Sequence, residues 1–413
     1  MIMHKHLSRM TLREKVAQMV VVDFRFEDAD YERAVRWVKK EGVGGIRLAG
    51  GSVFEVPSLV NSFQKVAKFP LLVAADYEDG AGTEVAGATR FPTHRAVGAT
   101  GSEEFAQLKG RHAAMEARAL GVRWILGPSV APGSFGDDPA LGVRLAKAYL
   151  AGIWSAGSLP CARRFPDGPF AELVPVAGAV MAGPDFSADS GGGVLRGDLD
   201  FGGLVAADLG GSETERGRVE EGARGGVDFF LAPGDPDLVI LALEEAVRSG
   251  RLAEAAIDRS VDRILSTKDR LGLFADRMTD VASVETVVGG MMSRAAAQRI
   301  AEAAVTLAGG VGRVDGPVAL LGAPGVLEAE LTRRQRVSEG SETCVVADLS
   351  RLDEARGRYR KVMVVVLGPP AEIPDVAGLV WAYGPDPASQ RAAAKALFGE
   401  IEYRGVRTAG GKK

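Results

Sequence analysis

The sequence predicts an α/β fold: a (β/α)8 barrel of the TIM type followed by a small C-terminal α/β domain. Three observations predict it. Eight short apolar runs alternate with amphipathic helical stretches over most of the chain's first two thirds. Two of those runs, Pro70-Leu71-Leu72-Val73-Ala74-Ala75-Asp76 and Gly203-Leu204-Val205-Ala206-Ala207-Asp208-Leu209-Gly210-Gly211, end abruptly in a carboxylate. This is how a buried parallel strand delivers a charge to the rim of an α/β fold. Finally, the pattern changes at Gly309-Gly310-Val311-Gly312, and a second, shorter set of strands and helices begins beyond it. Eight alternations over roughly 250 residues fit a closed barrel better than an open doubly wound sheet. The first strand–helix turn carries no GxGxxG, which weakens a dinucleotide-binding reading.

The expected strands are Met19–Phe24, Val43–Leu48, Leu71–Asp76, Val122–Leu126, Leu159–Ala162, Val176–Ala182, Leu204–Asp208 and Val227–Ala232. Each is a short apolar run, the form taken by a strand buried on both faces. Helical patterns follow at Ala29–Lys40, Val56–Lys68, Glu103–Leu120, Pro139–Ala156, Glu213–Arg224 and Pro236–Ser249, and are poorly defined after the fifth and sixth strands. A longer helical tract covers Glu244–Leu273 and another Ser293–Leu307. The glycines at 309–312 read as a linker, dividing the chain into a barrel domain, 1–308, and a short α/β domain, 309–413. In the second domain the expected strands are Val318–Leu321, Cys344–Ala347, Val362–Leu367 and Gly378–Trp381, closed by a helix over Asp386–Phe398.

Composition narrows the function. Of 413 residues, 46% are hydrophobic and 25% charged, an ordinary soluble balance. A net charge of −4 gives no basic surplus for nucleic acid or an anionic membrane. Cys161 and Cys344 lie far apart with no CxxC spacing and no neighbouring His, so neither a zinc site nor a disulfide framework is indicated. No metal or cofactor is expected. Met1–Lys15 contains no uninterrupted apolar h-region, and no run approaches the length of a membrane span, so a cytoplasmic protein is expected.

Several segments together resemble glycoside hydrolase family 3, in its β-N-acetylhexosaminidase branch. They are Leu12–Met19, Gly42-Val43-Gly44-Gly45-Ile46, Pro70–Gly80, Ala119–Trp124, Phe201–Asp208, and Ile257–Leu265 running into Lys268 and Leu271–Phe274. Tyr383-Gly384-Pro385 and Leu397–Glu400 are similar to a shortened form of that family's second domain. The resemblance implies a carboxylate nucleophile at the end of the seventh strand, where Asp208 falls. It also implies a carboxylate at Asp76 that accepts hydrogen bonds from sugar hydroxyls. Retaining glycosidases need one carboxylate to attack the anomeric carbon and a second group to protonate the leaving oxygen. The substrate implied is a small glycoside or amino sugar.

The chain departs from the family where the acid should be. The family's lysine–histidine pair before Phe-Pro is Arg163-Arg164 here, and the following loop, Asp167-Gly168-Pro169-Phe170-Ala171-Glu172, is short and lacks the acid/base histidine. Asp167 and Glu172 are the nearby candidates for a substitute acid, which would require a raised pKa. Arg163 and Arg164 either hold a charged substrate group or neutralise a nearby carboxylate such as Asp76, Asp208 or Asp167. His94 and His112 read as structural, His112 on a helix surface, and Trp124 and Trp154 as core. Two functions remain: a weakly active retaining glycosidase, or an inactive relative that binds a sugar or a protein.

Overall fold

A computed structural model describes residues 6–28, 30–163, 169–182, 194–210, 216–334, 336–370 and 373–406. Eight parallel strands close a barrel: β1 Val20–Arg25, β2 Gly45–Ala49, β3 Leu72–Ala75, β4 Trp124–Ser129, β5 Leu159–Arg163, β6 Ala179–Ala182, β7 Leu204–Asp208 and β8 Phe229–Leu231. Neighbours pair in sequence order, and β8 returns to β1. The expected barrel is therefore the observed one. Its strands are buried because helices cover the outside and side chains fill the inside. Close backbone approach explains two glycines of the Gly42–Gly45 motif. A Cβ on Gly44 would lie 1.8 Å from the Gln18 carbonyl oxygen, and one on Gly45 would lie 2.4 Å from that of Leu72.

The helices differ from expectation in instructive places. The stretch expected at Ala29–Lys40 is a short α-helix, Tyr31–Arg36, that widens into a π-turn, Trp37–Glu41. The single tract expected over Glu244–Leu273 is two helices, Pro236–Arg248 and Glu254–Arg270. The break falls at Gly250, whose φ of 76° is left-handed and cannot continue a right-handed helix. After β5 the chain forms a short 3₁₀ turn, Pro169–Leu173. Residues 164–168, 183–193 and 211–215, which follow β5, β6 and β7, lie outside the described residues.

The second sheet is mixed, in the order β10 (Ala319–Leu321), β11 (Thr343–Val346), β12 (Lys361–Val366), β13 (Gly378–Trp381) and β9 (Thr306–Gly310). β10 to β13 are parallel, whereas β9 runs antiparallel to β13. The helix expected over Ser293–Leu307 therefore stops at Ala304, and Gly309 and Gly310 are strand residues, not a linker. Glycine is needed there because a Cβ on Gly310 would lie 2.3 Å from the Ala377 oxygen. Apolar side chains pack on both faces of this sheet.

The chain divides into two compact units: 1–88, 110–131 and 150–290 form one, and 89–109, 132–149 and 291–413 the other. The sequence-based boundary at 308/309 falls inside the second unit. His112, expected on a helix surface, is buried, and that burial, then the charge of Arg111, lowers its pKa. His94 is buried between Phe135 and Tyr149. Among the described residues no helix is long and apolar enough to cross a membrane.

Beneath the barrel, Asp228 is fully buried just before β8. It accepts from Arg263 at 2.8 Å, from the Val205 amide at 2.8 Å, and from Arg196. Asp228→Ala should cost roughly 3–5 kcal/mol, because two guanidinium groups lose their counter-charge together. Urea denaturation would measure this, and a loss under about 1 kcal/mol would mean the arginines find other acceptors.

Candidate active site

In barrels of this kind chemistry gathers at the C-terminal strand ends. There the structure places Asp208 as the last residue of β7 and Asp76 one residue beyond β3. Asp208 is 31% exposed. Its Oδ1 accepts from the Gly210 amide at 2.9 Å, and its Oδ2 from Nη1 of Arg47 at 2.9 Å. Arg47 stands in the middle of β2, opposite Asp23 on β1. Asp23 holds it fork to fork, with Nε to Oδ1 at 2.8 Å and Nη2 to Oδ2 at 2.7 Å. One guanidinium on β2 thus serves two carboxylates, one from β1 and one from β7. Burial lowers the Arg47 pKa, but the bonds and charges of Asp23 and Asp208 outweigh it and leave it raised.

Asp76 is held separately. Arg163, the last residue of β5, donates to its Oδ1 and lies 3.5 Å from the Leu126 carbonyl. Of the two open accounts of Arg163, this geometry is that of the neutralising partner. Glu78 is a brace between loops. Its Oε2 accepts from the Ser129 amide at 2.7 Å, tying the loop after β3 to the end of β4. Arg164 and Asp167 lie outside the described residues. Glu172 sits exposed in the turn Pro169–Leu173.

The sequence reading missed Arg47, Asp23 and Glu84. The signal for Arg47 was present: a charge inside Gly45-Ile46-Arg47-Leu48-Ala49, an otherwise apolar strand, demands an acidic partner. Glu84, on the loop after β3, has a carboxyl pushed up by burial, which outweighs the opposing amide of Gly50 and the charges of Arg25 and Arg47. Its Oε2 and the hydroxyl of fully buried Tyr77 have no hydrogen-bond partner among the described residues. Burial also raises the Tyr77 pKa, with the charge of Glu84 adding to it. The Glu84 Oε2 is closed off from solvent.

Two cavities frame the barrel. One of about 240 Å3 opens beside Asp23 and Arg25 and is lined also by Trp37 and Pro233. It lies slightly below the ~300 Å3 at which small-molecule pockets usually begin. A larger one, about 950 Å3, is lined by Trp154, Gly178, Gly203 and Arg270. Gly178 and Gly203 immediately precede β6 and β7, so this cavity is at the wrong end for chemistry. Trp154 there is half-buried under the guanidinium of Arg270 at 4.8 Å, not enclosed in the core as expected, whereas Trp124 is fully buried. Among the described residues no group of three or more His, Cys, Asp or Glu is arranged to hold a metal ion.

Residues 11–169 match the glycosyl hydrolase family 3 N-terminal domain. A β-N-acetylglucosaminidase/β-glucosidase of Cellulomonas fimi is 26% identical over 332 residues, 64% of this chain and 59% of that protein. The chain thus spans about three fifths of that curated relative. Among solved structures, a β-glucoside phosphorylase bound to 2FGlc superposes with a TM-score of 0.84 at 17% identity, covering 99% of this chain and 96% of the other. A family 3 β-N-acetylglucosaminidase from Paenibacillus sp. str. FPU-7 gives 0.81 at 24% identity, covering 97% and 99%. These two establish the shared fold.

Proposed function

We propose that this chain, which carries the N-terminal domain of glycoside hydrolase family 3, is a retaining O-glycosyl hydrolase of the β-N-acetylhexosaminidase type, with Asp208 as nucleophile and low activity. One observation carries the reading: a half-buried aspartate closes β7 at the barrel's C-terminal rim, with both oxygens fixed by hydrogen bonds. In such a reaction an Asp208 oxygen bonds to the anomeric carbon as the bond to the leaving oxygen breaks, and water then releases the sugar. Low activity follows from the missing acid/base histidine, since general acid catalysis is worth about 10²–10⁴-fold. The substrate would be a small glycoside or amino sugar.

The second reading is an inactive relative that binds a sugar or a protein. It is favoured by the engagement of both rim carboxylates, Asp76 with Arg163 and Asp208 with Arg47. A sugar hydroxyl must displace or share those contacts.

Incubation with an activated 2-fluoro sugar, followed by peptide mass spectrometry, separates the two. Hydrolase chemistry predicts a covalent adduct on Asp208, together with slow release of nitrophenol from aryl glycosides and much weaker action on natural ones. No adduct, combined with a sugar-dependent rise in melting temperature, would favour binding without chemistry.

A further inference from the structure

We infer that Arg47 is a positioning residue for Asp208 and that Asp23 fixes Arg47 in turn; the chemical consequence rests on the glycosyl-transfer reading above. The contacts form a line across the barrel mouth. Asp23 and Arg47 are directly opposed on neighbouring strands, β1 and β2. The Asp23 carboxylate occupies Nε and Nη2, at 2.8 and 2.7 Å, so the guanidinium plane is set before it meets Asp208. Only the Nη1 corner is then directed toward β7, where it bonds Oδ2 of Asp208 at 2.9 Å. The amide of Gly210 takes Oδ1. With one donor on each oxygen, rotation of the Asp208 carboxylate about its Cβ–Cγ bond is opposed from two sides.

A nucleophile must present its oxygen within about 3–3.5 Å of the carbon it attacks, and a misplacement of ~1 Å can cost about 10²-fold. Arg47 is only 15% exposed, so water does not replace these contacts cheaply. Lysine at 47 would restore the charge without the fork, because an ammonium is a single point and cannot grip Asp23 bidentately while reaching Asp208. The structural role of Arg47 thus differs from simple charge neutralisation.

The test uses a 2-fluoro glycoside carrying a dinitrophenolate leaving group. An Asp208 oxygen bonds to the anomeric carbon, the aryl ether bond breaks, and its electron pair departs on the phenolate. No proton donor is required, so the measurement isolates the nucleophile. Labelling of Asp208 would be followed against reagent concentration in the wild type, Arg47→Met, Arg47→Lys and Asp23→Asn, each corrected for its folded fraction. Arg47→Met should lower the saturating rate about 10²-fold with a much smaller change in half-saturating concentration. Arg47→Lys should recover part of that loss, and Asp23→Asn should fall between the wild type and Arg47→Met. A lower melting temperature in Arg47→Met with an unchanged saturating rate would overturn the inference. If the wild type does not label at all, it is the glycosyl-transfer reading that fails. The link is then judged by urea midpoints of the wild type, Arg47→Met, Asp208→Asn and the double variant. Non-additive shifts sustain it and additive shifts refute it.

Discussion

Asp208→Asn should abolish covalent labelling by an activated 2-fluoro sugar and lower any aryl-glycoside turnover by roughly 10⁴-fold, while the protein stays folded. An amide carries no anionic oxygen to attack the anomeric carbon, and the neighbouring carboxylates do not replace it. Asp76 is separately paired with Arg163, and Glu78 is spent on the Ser129 amide. The fold should survive because the strand is anchored by the buried run Leu204–Ala207 and not by its last side chain. Some strain remains. Asparagine offers one carbonyl oxygen where the carboxylate bonded both Arg47 and Gly210, so one donor faces an NH2 group. At a position 31% exposed, water relieves much of that conflict. We expect a cost of about 1 kcal/mol, or roughly 2–4 °C in melting temperature. Turnover unchanged in the folded variant would move the chemistry away from β7 altogether.

What was legible in the sequence follows from which information is local. The strand Leu204–Asp208 could be read to the residue, since an apolar run meeting a carboxylate and glycines is visible within nine positions. The eight-strand alternation was legible for the same reason. Arg47 is marked locally as a charge in an apolar strand, but its partners are not, because they lie 24 and 161 residues away and meet it only when β1, β2 and β7 converge. Gly309 and Gly310 read as a linker because glycine weakens a strand viewed alone. In the sheet they are strand residues paired with β13, and the close approach of Ala377 explains Gly310. His112 illustrates the same limit from the other side. Its neighbours Arg111 and Glu116 suggest a wet helix face, yet tertiary packing buries the ring. The acid proved hardest to read. Of the two carboxyls taken as candidates for a substitute acid, Asp167 lies outside the described residues and Glu172 is exposed.

Between about pH 7 and about 10.5 the wild-type protein should gain stability relative to Lys268→Met, through a single buried amine. Lys268 lies on the helix Glu254–Arg270, fully buried, with its Nζ 2.7 Å from Oε1 of Gln18 on the helix Leu12–Gln18. Gln18 is itself held, its Nε2 donating to the Gly42 carbonyl at 2.8 Å. Burial pushes the Lys268 pKa down from 10.5 to about 7. Below pH 7 the lysine is charged in both folded and unfolded chains, and stability does not change with pH on its account. Between 7 and 10.5 the unfolded chain binds the proton and the folded one does not, so stability rises with pH across that window. Above 10.5 both are neutral and the gain is complete, roughly a few kcal/mol. Methionine has similar length and no charge to bury, although it leaves Oε1 of Gln18 without its donor. Its absolute effect on stability is therefore smaller than its effect on the slope. Urea unfolding of both proteins at pH 7 and pH 10 measures the difference directly, since every other titrating group, the buried thiols of Cys161 and Cys344 included, is common to the pair. Parallel pH profiles would mean that the ammonium keeps its charge inside the fold, with water or a shifted Gln18 solvating it.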